Sequence, residues 1–118
     1  MPIRKPVATP RAPKHLQPTT RKWFASVVAA YELEEHHLRL LTLACEAWDR
    51  CVAAREAIAA AGGMTFDDRY GCPHPRPEIA IERDSRVSFA RLVRELDLDL
   101  APPPETSRPP GLRSNRRV

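Results

Sequence analysis

No stretch of this 118-residue chain approaches the roughly 20 consecutive apolar residues that span a bilayer, so no membrane-spanning helix is expected. The N-terminal residues carry charge but no apolar h-region, which speaks against a secretory signal. Cysteine is scarce. Cys45, Cys51 and Cys72 are an odd number at irregular spacing, which fits a reducing cytoplasm rather than a disulfide framework. No phosphate-binding G-x-x-x-x-G-K-[ST] loop, no dinucleotide glycine fingerprint and no internal repeat occurs. His36 and His37 are neighbours, so on a helix they point about 100° apart. Cys72 and His74 offer two donors where zinc asks for about four converging ligands. No nucleophile–base pair stands out. The chain is read as non-enzymatic, with no metal or cofactor: a binding or assembly protein.

Acidic residues are missing from one end and nearly so from the other. Residues 1–17 carry Arg4, Lys5, Arg11 and Lys14 and no acid, whereas residues 101–118 carry Arg108, Arg113, Arg116 and Arg117 against Glu105 alone. The whole chain is +4, of which the two ends supply +4 and +3, leaving residues 18–100 at −3. Nine of the 13 prolines lie in the same two end segments, where they block helix formation. The expected organisation is a basic proline-rich arm at 1–17, a folded unit at 18–100 and a second flexible basic arm at 101–118. Cationic arms on an acidic body suit a polyanionic partner, and equally suit solvated tails.

The folded unit reads as mainly α. A first helix is expected from about Thr20 to Tyr31, after Pro18 and capped by Thr19 or Thr20, with Trp23, Phe24, Val27, Val28 and Tyr31 on its apolar face. Arg21 and Lys22 fall in its first turn, where the helix dipole disfavours cations; phosphate is one candidate to offset that, and plain solvation is another. A long central helix is expected from Glu34 to Ala61, started by Glu34 and Glu35 and stopped by Gly62 or Gly63. It carries two apolar stripes. Leu38, Leu41, Cys45, Trp48 and Val52, with Ala59 at its end, form one, and Leu40, Ala44, Ala47, Cys51, Ala54 and Ile58 form the other. A helix apolar on two sides is buried on two sides, either by the other helices or by a second subunit. Thr65-Phe66 and Arg69-Tyr70 around Asp67-Asp68 predict a short β-hairpin, which is marginal unless it packs on something. A third helix is expected from Pro77 to Asp97, with Phe89, Leu92, Val93, Leu96 and Leu100 on its apolar face and mixed charges elsewhere.

The order of these pieces has a counterpart. The run "TTRKWFASVVAAYELEEHHLRLLTLACEAWDRCVAAREAI", the glycine and short hairpin, "RPEIAIERDSRVSFARLVRELDLDL" and "RPPGLRSNRR" together resemble the phage terminase small subunits, in particular those of actinobacterial phages and prophages. The likeness runs over roughly residues 10–117. Its most telling parts are W-F-x-x-V-V-x-x-Y-E-L, H-x-x-L-L-x-x-A-x-E-A-W-D-R, R-P-E-x-A-x-E-R-D-S-R and the closing L-R-S-N-R-R. The resemblance implies a non-catalytic, ring-forming adaptor in the host bacterial cytoplasm. Such an adaptor binds viral double-stranded DNA and hands it to a large terminase subunit that holds the ATPase and nuclease.

Many members of that family read DNA with a helix-turn-helix, but "YELEEHH" is acidic where a recognition helix would begin. DNA contact is therefore expected from the arms: Arg4, Lys5, Arg11, Lys14, Arg108, Arg113, Arg116 and Arg117, with Arg21 and Lys22 beside them. In a ring, the expected subunit contacts are Leu40, Ala44, Ala47, Cys51, Ala54 and Ile58 together with Phe66 and Tyr70 of the hairpin. Two rival readings stay open. One is a small helical transcription regulator, and the other is a protein–protein assembly module without DNA binding.

Overall fold

A computed structural model of the chain describes residues 9–98. Three helices and one hairpin follow in the order α1 (Pro18–Ala30), α2 (Glu35–Ala61), β1 (Thr65–Asp67), β2 (Pro73–Pro75) and α3 (Pro77–Leu96). The fold is mainly helical, as the periodicity predicts.

Each boundary has a local cause. Gln17 is the N-cap of α1 in extended conformation, and Pro18 fills the first helical position, where the missing N–H costs nothing. The helix thus starts earlier than a threonine cap would place it, and Thr20 lies inside it, buried. At its end, Tyr31 turns extended while its N–H still bonds the Val27 carbonyl at 3.1 Å. Glu34 caps α2, its backbone N–H donating to His37 Nδ1 at 3.2 Å. Gly62 ends α2 at φ 77°, a left-handed position that glycine adopts without a Cβ penalty. Pro77 opens α3, and Asp97 closes it in the left-handed region at φ 51°.

α2 and α3 run antiparallel, with β1 and β2 projecting from the end where they join. The pairing can be followed along the seam: Arg55 and Cys51 meet Glu82, and Trp48 meets Phe89. At the far end, Leu41 and Leu96 share one core cluster. Small side chains fill the middle. Ala44, Ala47, Cys51 and Ala54 of α2 are buried, as is Ser85 of α3. Such residues let two helix backbones come close.

α1 completes the fold against the first half of α2. Phe24 and Val27 join Leu41 and Cys45, both 0% exposed, with Leu96 of α3 and Leu16 from the segment before α1. Leu16 and the neighbouring Ala12 lie before residue 18, so the packed unit reaches back into the expected N-terminal arm. Leu100, expected on the α3 face, and the arm at 101–118 lie outside the described residues.

The hairpin pairs Thr65 with Pro75, Phe66 with His74 and Asp67 with Pro73. Its second strand therefore differs from the expected Arg69-Tyr70, which sit in the loop. Two prolines in a strand look unfavourable, but the backbone bonds Arg76 N–H to Met64 O and Asp68 N–H to Cys72 O fix the alternation. Positions 73 and 75 are then the ones whose amides would point away from the partner strand, where proline loses nothing. Asp68 holds the loop by accepting the Tyr70 and Cys72 amides at 2.8 and 3.0 Å, and Gly71 supplies the positive φ of 77°.

Candidate functional site

The start of α1 gathers the described part of the basic N-terminal region. A turn closed by Leu16 N–H on the Pro13 carbonyl leads into the helix, anchored by the buried Leu16 side chain. Arg11 and Lys14 before the helix, and Arg21 and Lys22 in its first turn, are all exposed. Among the described residues, none of these four has an acidic partner within 4.0 Å.

No acid stands in the first turn of α1 itself. The negative charge comes from α2 instead. Asp49 Oδ2 accepts the Gln17 backbone N–H at 2.9 Å, while Oδ1 accepts the Thr20 hydroxyl. This carboxylate satisfies one of the donors at the head of α1 and sits where the helix dipole favours an anion. Nearby, His15 Nε2 lies 3.4 Å from Glu46. Asp49 explains how α1 tolerates cations in its first turn, a role that sequence reading missed because the partner lies 29 residues away.

Four arginines of the α2–α3 hairpin are committed differently, whereas Arg50, Arg91 and Arg94 are exposed and, among the described residues, have no acidic partner within 4.0 Å. Arg55 and Arg86 both reach Glu82 Oε1, at 3.1 and 3.3 Å, and Cys51 Sγ lies 3.6 Å from the same oxygen. Burial alone would raise the Glu82 pKa; the hydrogen bond from Arg55 and the charge of Arg86 outweigh it and hold the carboxyl below its ordinary value. Arg83 pairs with Asp84 and Arg39 with Glu35. Among the residues described, the unpaired cations of the expected DNA-contact set are thus Arg11, Lys14, Arg21 and Lys22. Arg4, Lys5, Arg108, Arg113, Arg116 and Arg117 lie outside the described residues.

The expected subunit contacts are placed as follows. Ala44, Ala47, Cys51 and Ala54 are buried within the chain, in the seam with α3, and offer no surface to a second subunit. That corrects the expectation for these four: the second stripe of α2 is covered by the third helix. Leu40 packs at the edge of the core cluster and Ile58 is half-buried. Phe66 and Tyr70 of the hairpin are exposed, Tyr70 at 78%.

One aromatic site was not read from sequence. Trp23 of α1 and Trp48 of α2 both meet Phe89 of α3, with ring centroids 5.9 and 5.0 Å apart and tilted planes. Together with Thr19 and Thr20 they line a notch of about 260 Å³ open to solvent. Trp48 stands on the stripe expected to be core, yet it is 42% exposed. The three rings belong to three different helices, so periodicity within any one helix could not bring them together.

The cysteines divide by burial. Cys45 is pushed up to about 12 by burial and by the nearby Asp49 and Glu46 carboxylates, and burial raises Cys51 as well. Cys72 is exposed on the hairpin loop. His74 binds Asp68 through Nε2 at 2.9 Å, a contact that leads the lowering of the Asp68 pKa. Among the described residues no group of three or more His, Cys, Asp or Glu side chains gathers as a metal would require, and no helix is long and apolar enough to cross a membrane. Comparison with family models, with curated proteins and with solved structures gives no match to this chain.

Proposed function

We propose that the protein is a DNA-packaging adaptor of the terminase small-subunit kind. It would bind double-stranded viral DNA through basic side chains at the chain ends, assemble as a ring and present the DNA to a large terminase subunit. The observation that carries this reading is the clustering of cations at one end. Among the described residues, Arg11, Lys14, Arg21 and Lys22 stand exposed and free of acidic partners within one 12-residue stretch at the head of α1, while Arg55 and Arg86 of the α2–α3 hairpin are tied to Glu82 and the unpaired Arg50, Arg91 and Arg94 lie apart in sequence from that stretch. The four extend the basic run begun by Arg4 and Lys5. A polyanion is the partner that this end of the molecule suits best, and the order of sequence segments that resembles terminase small subunits names which one.

The chemistry is electrostatic. A cation that neutralises a phosphate releases condensed counterion, so affinity falls as salt rises. Contacts of this kind position DNA without reading its sequence. In a ring each subunit repeats the same weak contact, and the effective concentration of the next site makes the whole grip tighter than any single contact.

Binding of the full chain to duplex DNA, titrated over a series of salt concentrations, tests the reading. Replacing Arg21 and Lys22 with Ala should lower the steepness of log K against log salt by about 1.8, at about 0.9 for each phosphate no longer neutralised. Arg11→Ala with Lys14→Ala should do the same. If both double variants keep the parent slope, the head of α1 does not touch the DNA. If the parent has no affinity for DNA but binds the large subunit, the assembly-module reading replaces this one.

A further inference from the structure

The notch between Trp23, Trp48 and Phe89 leaves a large aromatic side chain in water beside a closed core. Trp48 is 42% exposed, although Cys45 and Leu41, one and two turns before it on α2, are fully buried. The walls are two indoles, a phenyl ring and the side chains of Thr19 and Thr20. The Thr20 hydroxyl already donates to Asp49, so the surface left to a ligand is mostly aromatic. At about 260 Å³ the notch falls just below the roughly 300–1,000 Å³ of sites that enclose drug-sized ligands, which suits a single planar ring system. It is too short for a docking helix, whose anchors spread over several turns.

Cations flank these walls. Thr19 and Trp23 line the notch, and Lys22, three residues after Thr19, falls on the flank of the same face of α1. Lys22 is exposed and, among the described residues, has no acidic partner within 4.0 Å. On α3, Arg86 stands one turn before Phe89. It shares Glu82 with Arg55, so two cations meet one acid and a net positive charge remains. Among the described residues, the carboxylate bonded to a wall residue is that of Asp49, and its two oxygens accept the Gln17 N–H and the Thr20 hydroxyl. Aromatic walls beside free cations match a ligand that carries a flat ring and a phosphate together, which is a nucleotide. Duplex DNA shows only base edges in its grooves, so the face of a base reaches such a notch when the strand is single or locally unstacked.

From this pairing of aromatic walls with a cationic flank, we propose that the notch binds an unstacked base of single-stranded DNA, with the adjoining phosphate on Lys22. The inference rests on the DNA reading above and adds a base contact to it. Stacking of this kind tolerates any base, because every base has a π face. It gives the head of α1 a preference for open strand that phosphate contacts alone do not supply.

The chain contains two tryptophans, and both line the notch, so their fluorescence reports its occupancy directly. The probes are an oligothymidylate of about 8 nucleotides, an abasic deoxyribose-phosphate oligomer of the same length, and a duplex. Oligothymidylate should quench the emission of the full chain and bind more tightly than the abasic oligomer, which has the same charge and no rings. Trp48→Ala should weaken oligothymidylate binding by about 5- to 150-fold and leave the affinities for the abasic oligomer and the duplex unchanged. Trp48→Phe keeps an aromatic ring, guards against a folding defect and should lose less. Lys22→Ala should lower the steepness of log K against log salt for oligothymidylate by about 0.7. Equal affinity for oligothymidylate and the abasic oligomer, with no quenching by either, would overturn the inference. So would emission that shifts with protein concentration in step with native mass, since a second copy would then fill the notch. Duplex binding with a steep salt dependence beside either failure leaves the DNA reading standing, whereas a parent chain that binds none of the three probes removes both.

Discussion

Asp49 is the residue on which the start of α1 depends. It sits on another helix, yet it supplies both the missing cap and the missing negative charge, through Gln17 N–H and the Thr20 hydroxyl. Asp49→Ala should cost about 1 kcal/mol, the usual loss for a removed cap, measured by urea unfolding. Amide exchange should speed up at Gln17 and residues 19–22 more than in α2. Local sequence showed the problem, two cations in a first turn, but the answer depends on tertiary contact and so was not legible there. Glu82 makes a second residue-scale prediction. Its folded pKa lies below its ordinary value of 4.5, so the unfolded chain takes up this proton more readily than the native one. The stabilisation is therefore complete above about pH 4.5 and is lost as pH falls through the depressed native value. Parent and Glu82→Gln proteins should differ in melting temperature at pH 7, with the parent higher, and the gap should narrow below about pH 4.5. A gap that is constant with pH would mean that the Arg55 and Arg86 contacts contribute nothing through the charge of Glu82.

At the scale of elements, the three helices were plain in the sequence because each carries an apolar period of three and four with a proline, acid or glycine at its ends. What covers each apolar face was not plain. Periodicity reports that a face is buried and is silent on what buries it, so the stripe Ala44, Ala47, Cys51 and Ala54 fitted a subunit contact as well as it fits α3. The second strand was hidden for a different reason. Pro73 and Pro75 read as breakers, and only the alternation of ladder bonds shows that they occupy positions that need no donor. The seam makes a sharp prediction. Ala47 is buried between two closely packed helices, whereas Ala53 on the same helix is exposed. Ala47→Leu should overpack the seam and cost about 1–3 kcal/mol by urea unfolding. Ala53→Leu should stay within about 0.5 kcal/mol of the parent. Equal effects at the two positions would mean that the α2–α3 seam is not closely packed in solution.

For the whole molecule, the proposed ring now has to be built from surface other than the α2 seam. The hairpin is the strongest remaining candidate. Both of its three-residue strands are exposed along their length, and Met64, Phe66 and Tyr70 show large apolar surface around them. A two-stranded sheet with no packed face is marginal by itself, so contact with a neighbouring subunit would stabilise it. Contacts of this apolar kind are not screened by salt, whereas contacts between arms and DNA are. The two can therefore be separated by native mass. The expected result is one closed oligomer of the same mass at low and high salt, broken into smaller species by Phe66→Ser with Tyr70→Ser. Arg21→Ala with Lys22→Ala should leave the mass unchanged while weakening DNA binding. A chain that is monomeric at every salt, yet still binds DNA with a steep salt dependence, would remove the free ring and leave assembly to the DNA or the large subunit. A ring unaffected by the hairpin substitutions would move the subunit contact to exposed apolar surface on the helices, around Leu43 of α2, which is 52% exposed, or Ile81 and Val87 of α3.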